Sequence, residues 1–264
     1  MPTPGTPAPP ARLTWLGHST VVLRLGETVL VTDPVLRARM QHLRRHVPRP
    51  ALHGHVDAVL VSHAHHDHLD LPSLRALPDV GLLVLPRGLG RLVRRVGAGA
   101  VAEVAPGDQR TVGDVAIRAV HAEHSGRREP LGPTGPALGF VLEHAGRRAY
   151  FAGDTGLFDG MAAIGPVDVA LLPIWGWGPS LGPGHMDPEQ AAQAAALVRP
   201  RVVVPIHWGT YLPIGARRRH GGLLRTPAAE FARAMADAAP GVEVVVLAPG
   251  GELDLAGVRS TARG

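Results

Sequence analysis

The eight residues His63-Ala-His-His-Asp-His-Leu-Asp70 constrain this chain more than any other stretch. They follow directly on Asp57-Ala-Val-Leu-Val-Ser62, an apolar run of strand length and composition. A polar cluster so placed opens a loop where a buried strand ends, which is where open α/β sheets carry their sites. His63 and His65 are two residues apart, so in an extended turn both imidazoles face one point. Asp67 and His68 then face a second point close by. Nitrogen and oxygen donors at this density suit a borderline-soft cation such as Zn²⁺. A merely solvated His-rich loop needs neither this spacing nor a buried strand behind it.

The donor set is bounded by composition. There is no Cys, so thiolate nucleophiles, disulfides and Cys metal ligands are excluded. Any metal sits on His and carboxylates. With 264 residues and 45% hydrophobic content, the chain can bury a substantial core and reads as globular. Two Tyr, four Phe and four Trp leave that core to Val, Leu and Ala. The 33 Gly and 26 Pro imply many tight turns. A formal charge of +5 is mild for this length and does not by itself signal nucleic-acid binding. Residues 1–10 are Pro-rich without a charged n-region or apolar h-region, so they read as a disordered leader before a single domain over 11–264. No apolar run approaches ~20 residues, so no transmembrane helix is expected, and a cytoplasmic location is the default.

Taken in order, Leu13–Leu16 and Thr20–Leu25 read as strands paired around Gly17-His18-Ser19. Thr28–Thr32 follows and ends at Asp33-Pro34. Residues 34–56 are basic, with a helix expected near 35–45. They form either a substrate-facing loop or a solvated connector. A short helix is expected from Leu71 to Leu77, a strand over Val80–Leu85 and a helix over Gly88–Val96. Strands at Val101–Val104 and Val115–Val120 lead to His121-Ala-Glu-His124. A hairpin of Leu138–Glu143 with Arg147–Phe151 ends at Asp154. Asp168–Leu172 leads into the loop that holds Trp175 and Trp177. Asp187-Pro188 caps a helix over Glu189–Val198. Arg201–Ile206 is a strand delivering His207, a helix spans Thr226–Ala238, and Val242–Leu247 is a last strand.

The His-x-His-x-Asp-His stretch resembles the signature of the metallo-β-lactamase superfamily. Later loops offer the family's remaining ligands in order: His124, Asp154 in Phe151-Ala-Gly-Asp-Thr-Gly156, and His207 in Pro205-Ile-His-Trp-Gly-Thr210. Within it, the chain resembles the N-acyl-phosphatidylethanolamine-hydrolysing phospholipase D group and the L-ascorbate-6-phosphate lactonase-like hydrolases. Leu13–Thr20, Leu30–Pro34, Gly184-His-Met-Asp-Pro-Glu-Gln190 and Ile206–Thr210 carry that likeness. Periodicity alone gives mixed α/β; the resemblance implies a four-layer αββα sandwich of that family.

The resemblance also implies a metal centre. His63, His65 and His124 would hold one metal and Asp67, His68 and His207 a second, with Asp154 bridging. Two Zn²⁺ per chain are implied, with Mn²⁺ or Fe²⁺ as substitutes, and a metal-bridging hydroxide as nucleophile. Asp67 would both ligate and orient. His185 is a candidate for substrate binding or proton donation, or simply begins a helix. His18 is second shell or part of its turn. Asp33 and Asp70 are candidate acceptors behind metal-bound histidines, or ordinary turn residues, with a helix N-cap favoured for Asp70. Trp175 and Trp177 line a pocket or pack a Gly-rich loop. His121 competes with His124 on spacing, and the family pattern favours His124. His42, His46, His53, His55, His144 and His220 read as surface residues, and Arg217–Arg219 as an anion site or a solvated run. The substrate implied is a phosphodiester, with a lactone or ester of an anionic small molecule as the alternative. A non-catalytic metal-binding or ligand-sensing protein is the rival of a different class. Nucleic acid is disfavoured, and oligomeric state is left open.

Overall fold

The computed structural model describes residues 11–128, 130–255 and 257–258. The Pro-rich leader expected at 1–10 lies outside them.

The first half builds one sheet. Strands β1 (Ala11–Gly17), β2 (Thr20–Leu25) and β3 (Thr28–Thr32) form an antiparallel meander. The short β4 (Arg39–Met40) and β5 (Leu43–Arg45) follow as a separate hairpin. β6 (His55–Leu60), helix α1 (Leu71–Arg75), β7 (Asp79–Pro86) and β8 (Ala100–Val104) then extend the sheet in parallel from β3. The second half builds the other sheet. β9 (Gln109–Val112), β10 (Val115–His121), β11 (Leu138–His144) and β12 (Arg147–Phe151) run antiparallel. β13 (Val167–Pro173), α2 (Pro188–Val198) and β14 (Pro200–Ile206) add parallel strands. β15 (Tyr211–Pro213) leaves to pair with β5, and α3 (Arg217–His220) and α4 (Thr226–Ala238) follow. β16 (Glu243–Val244) edges the second sheet, and β17 (Glu252–Asp254) crosses back to β1. The strand orders are β17-β1-β2-β3-β6-β7-β8 and β16-β14-β13-β12-β11-β10-β9.

Alternation in the strands decides what lies between the sheets. Leu13, Trp15, Leu23, Leu30 and Leu60 meet Phe140, Phe151, Leu171, Val202 and Val204 in one shared core. The outer face of the second sheet is covered by α2 and α4 through Ala191, Ala195, Val198, Phe231 and Met235. The outer face of the first is covered around α1 by Leu69, Leu74 and Val93. This is the αββα sandwich. Few aromatics are needed because small Ala side chains let α2 lie close on the sheet.

Several expected elements change. The helix near 35–45 is instead the β4–β5 hairpin, because pairing with β15 outweighs the local preference of an Arg-rich run. Gly88–Val96 shrinks to a 3₁₀ turn over Gly90–Val93; its glycines and β-branched Val93 do not support a longer helix. The last strand covers only Glu243–Val244. β9, β15, β17 and α3 were not anticipated. His144 is buried, not superficial: it folds beneath the β2–β3 turn, its Nε2 2.9 Å from Asp114 Oδ2. The Thr226–Ala238 helix and the Asp187 cap stand as expected, the latter as a full capping box with Gln190.

Candidate metal centre

The histidines and carboxylates arrive from the ends of parallel and antiparallel strands that finish at one edge of the sandwich. β3 ends at Asp33, β6 delivers His63–Asp70, and β12 ends beside Asp154. β10 is followed by His124, and β14 by His207. Backbone hydrogen bonds tie these ends together across the two sheets. Leu138 N–H donates to Ser62 O at 3.0 Å, and His207 N–H to His18 O at 2.9 Å. His18, Asp33 and His207 all hold positive φ, 54°, 34° and 61°. Non-glycine residues rarely sit there unless surrounding structure holds them.

Three donor groups overlap in space: His63, His65 and His124; Asp67, His68 and His207 with His18; and His63, His68 and Asp154. His185 joins His124 and Asp154 in a fourth. Neighbouring donor atoms lie 3.1 Å apart for His65 Nδ1 and His124 Nε2, and 3.2 Å for His68 Nε2 and His207 Nε2. Asp154 Oδ2 is 3.0 Å from His68 Nε2 and 4.0 Å from His63 Nε2, and Oδ1 is 3.2 Å from His207 Nε2.

The far side of each ring decides which nitrogen faces inward. His124 Nδ1–H donates to Gly184 O at 2.7 Å, and His207 Nδ1–H to Trp175 O at 2.7 Å. A carbonyl can only accept, so each neutral ring turns a bare Nε2 lone pair toward the centre. His68 Nδ1 lies 2.6 Å from Asp33 Oδ2, and His63 Nδ1 3.0 Å from Ser62 Oγ. Asp33 is itself held by Ser62 N–H at 2.7 Å and Ser62 O–H at 2.6 Å. Asp67 Oδ2 lies 3.1 Å from His18 Nε2 and accepts the Trp177 indole N–H at 3.1 Å.

These surroundings shift the titrations. Burial pushes His63 well down, and His18 to about 3, with the charge of His207 adding to the latter. Burial lowers His124 to about 4 against the pull of Asp154. Burial opposes ionisation of Asp67 and Asp154, yet His68 beside Asp67 and His207 beside Asp154 hold both well below the usual carboxylate range. His68 is the converse. Burial disfavours its charge, but Asp154, Asp33 and Asp67 hold its pKa well above normal.

The residues present fit a metal. His63 Nε2 and Asp154 Oδ1 are buried without a hydrogen-bond partner, which a folded protein tolerates poorly unless something else fills the place. Inward lone pairs 3.1–3.2 Å apart match neighbouring ligands around a cation bound at about 2.0–2.2 Å. The all-N/O donor set suits Zn²⁺, Mn²⁺ or Fe²⁺.

Above the centre lies a cavity of about 270 Å³ lined by Met40, His42, Leu43, Arg128, Trp177 and His185, with His65, Asp67 and Asp154 at its base. Thus the β4–β5 hairpin faces the site, and His42, though exposed, stands at its mouth 4.9 Å edge-on to Trp177. Trp175 does not line this cavity; its indole N–H turns back to Gly178 O, and its backbone carbonyl serves His207. His121 points away to Glu123 at 3.2 Å. Asp70 caps α1, accepting from Ser73 N–H, and also binds Arg37 at 2.6 Å. Ser62 and the backbone acceptors of Gly184 and Trp175 escaped sequence reasoning. Ser62 could have been found from its position between the strand and the motif; the carbonyls carry no sequence signal.

Gly153 sets the approach of Asp154. Its φ is +63°, and a Cβ there would lie 2.7 Å from Ser62 Cβ and 2.8 Å from Leu138 O. Gly153→Ala is expected to cost roughly 2–4 kcal/mol in urea unfolding and to weaken metal binding with it. A loss below ~0.5 kcal/mol would mean that the junction between the sheets is softer than its contacts indicate.

A family model described as the beta-lactamase superfamily domain matches residues 28–208. A UPF0173 metal-dependent hydrolase of Cupriavidus taiwanensis is 36% identical over 230 residues, covering 78% of this chain and 78% of that protein. N-acyl-phosphatidylethanolamine-hydrolyzing phospholipase D 1 of Caenorhabditis elegans is 32% identical over 231 residues, 76% of this chain; the match spans 64% of the nematode protein's length. Among solved structures, Igni18, a metallo hydrolase from Ignicoccus hospitalis, aligns over 92% of this chain and 97% of its own with a TM-score of 0.67 and 25% identity. Among the described residues no helix is long and apolar enough to cross a membrane. With its sandwich, its converging donors and these relatives, the chain belongs to the beta-lactamase superfamily.

Proposed function

We propose that this chain is a dinuclear metal hydrolase that cleaves a phosphodiester. Asp154 carries the reading. It is one buried carboxylate whose two oxygens face separate inward donors, Oδ1 toward His207 and Oδ2 toward His68 and His63. His63, His65 and His124 would hold one metal, Asp67, His68 and His207 the other, and Asp154 would bridge them. Zn²⁺ is the favoured ion, with Mn²⁺ or Fe²⁺ compatible with the same donors. When bound, such a pair supplies acidity, lowering the pKa of coordinated water from about 15.7 to near 7, and offsets charge on the reacting oxygen.

The chain's own groups do the rest. Asp67 is oriented by His18 and by the Trp177 N–H. His185 donates its Nδ1–H to Gly182 O at 3.1 Å, leaving Nε2 facing Asp154 at 3.4 Å. As an imidazolium, whose charge Asp154 favours, it can pass the Nε2 proton to the leaving oxygen and remain neutral. Trp177 with His42 walls the cavity and limits water. Because both sheets share one core, we read residues 11–264 as a single domain.

The phosphodiester class is supported by the name of the nematode relative. A lactone or ester of an anionic small molecule is the second reading, favoured by residues 125–136, which bring no aromatic side chain to the site. Initial rates on bis(p-nitrophenyl) phosphate and on a lactone panel, with the protein loaded with two equivalents of Zn²⁺ and His65→Ala alongside, test it. Diester turnover that falls at least about a thousandfold in the variant is expected. Lactone turnover alone moves the chain to the second reading. Two bound metals without turnover on either would favour a binding or sensing protein.

A further inference from the structure

Residues 34–56 and 211–229 together hold nine arginines and no Asp or Glu; elsewhere the 22 acids outnumber the remaining 18 arginines. The fold joins these two segments. β5 pairs with β15, setting Arg44 opposite Leu212, and Ile214 N–H donates to His42 O at 2.9 Å. Within the β4–β5 hairpin, Arg39 is directly opposite Arg44. His46 lies between Arg44 and Arg217: partial burial, then these two charges, lower its pKa. Arg218 and Arg219 follow on α3.

Arg39, Arg44, Arg217, Arg218 and Arg219 are exposed, and none has an ion-pair partner among the described residues. Arg37 and Arg45 differ. The first binds buried Asp70, and the second is buried, holding the Val35 and Pro48 carbonyls. Like charges facing each other across a hairpin cost stability, so the fold gains nothing from this ridge. The ridge nevertheless adjoins the cavity, because Met40, Gln41, His42 and Leu43 line it and Arg39 and Arg44 flank this tip of the hairpin.

We propose that this ridge binds a second anionic group, a phosphate or carboxylate, that the substrate carries beyond the group undergoing hydrolysis. Guanidinium groups present paired donors that match such oxygens. The ridge lacks stacking surfaces for single-stranded nucleic acid: its one Phe, Tyr or Trp is Tyr211, which is 2% exposed. The inference rests on the hydrolase reading only in placing the first anion at the metal centre.

Binding of hexane-1,6-diol bisphosphate and of hexyl phosphate to the metal-loaded protein tests the ridge without turnover, by calorimetry. Both ligands can place one phosphate on the metals; only the first has another to give. The wild-type protein is expected to prefer the bisphosphate about tenfold, from two arginines each contributing roughly threefold. The preference should fall toward one in Arg39→Ala/Arg44→Ala, with metal content and melting temperature held. It should persist in Arg110→Ala/Arg233→Ala, which removes the same charge elsewhere. A preference that survives in the ridge variant, or falls equally in the distant one, overturns the proposal. Where the wild-type preference is one, phosphatidylglycerol and phosphatidylcholine vesicles separate the remaining outcomes. A wild-type preference of one overturns the proposal whatever the vesicles show, and ridge-dependent binding to the anionic vesicles alone would then give the ridge to a lipid surface. Absent diester hydrolysis with the preference intact would refute the phosphodiesterase reading and leave the ridge standing.

Discussion

Asp154→Asn should lose at least one metal equivalent and lower hydrolysis about a thousandfold or more, while the metal-free protein melts within a few degrees of wild type. The substitution keeps shape and burial and removes only the negative charge. That charge faces donors of both clusters, with His68, His207 and His185 within 3.4 Å of its oxygens and His63 at 4.0 Å. Without it, two cations would sit close together with less to offset their repulsion. The clean readouts are elemental analysis after dialysis and the rise in melting temperature on adding Zn²⁺. Metal at a thousand times its Kd stabilises the native state by about 4.1 kcal/mol, and the variant should lose most of that rise. Two metals retained with unimpaired turnover would remove Asp154 from the bridging position.

Asp33→Ala should give the largest loss of stability of any single change near the site, about 3–5 kcal/mol by urea unfolding of the metal-free protein. Asp33 is 0% exposed and carries hydrogen bonds to Ser62 N, Ser62 Oγ and His68 Nδ1 at 2.6–2.7 Å. Alanine strands the Ser62 N–H in a dry place and frees the His68 ring to turn. It also puts a Cβ-only side chain at φ +34°, where Asp is tolerated better. Metal affinity should fall a further 10–100-fold, as when the acceptor behind a ligating His is removed. Asp33→Asn keeps an acceptor for Ser62 but sets an amide against His68, so its stability should lie between. A loss below about 1 kcal/mol in the alanine variant would mean that the Asp33–Ser62–His68 network carries little of the fold.

Both effects are partly legible in the sequence. A strand that runs straight into His-x-His-x-Asp-His has few other uses, and β1 alternates so that its inner face is legible, whereas β2 and β11 are buried on both faces and show only that they are strands. The helix caps at Asp70 and Asp187 were legible because capping is local. What failed was equally physical. Residues 35–45 carry helix-compatible side chains, yet become a hairpin because β15, more than 160 residues later, offers a partner. His144 looks like a turn residue on a hairpin and is buried only because Asp114 and the β2–β3 turn happen to cover it.

The sequence by itself determined the identity and order of the donors, the strands that present them and the absence of thiol chemistry, because these depend on residue type and short-range pattern. Only the tertiary structure decided how the donors meet. That Asp154 faces two clusters, that Trp177 and His18 share one oxygen of Asp67, and that two acid-free segments fuse into one basic ridge beside the cavity all depend on contacts between distant segments. Such contacts are fixed by the packing of two sheets on one core, which no local pattern encodes.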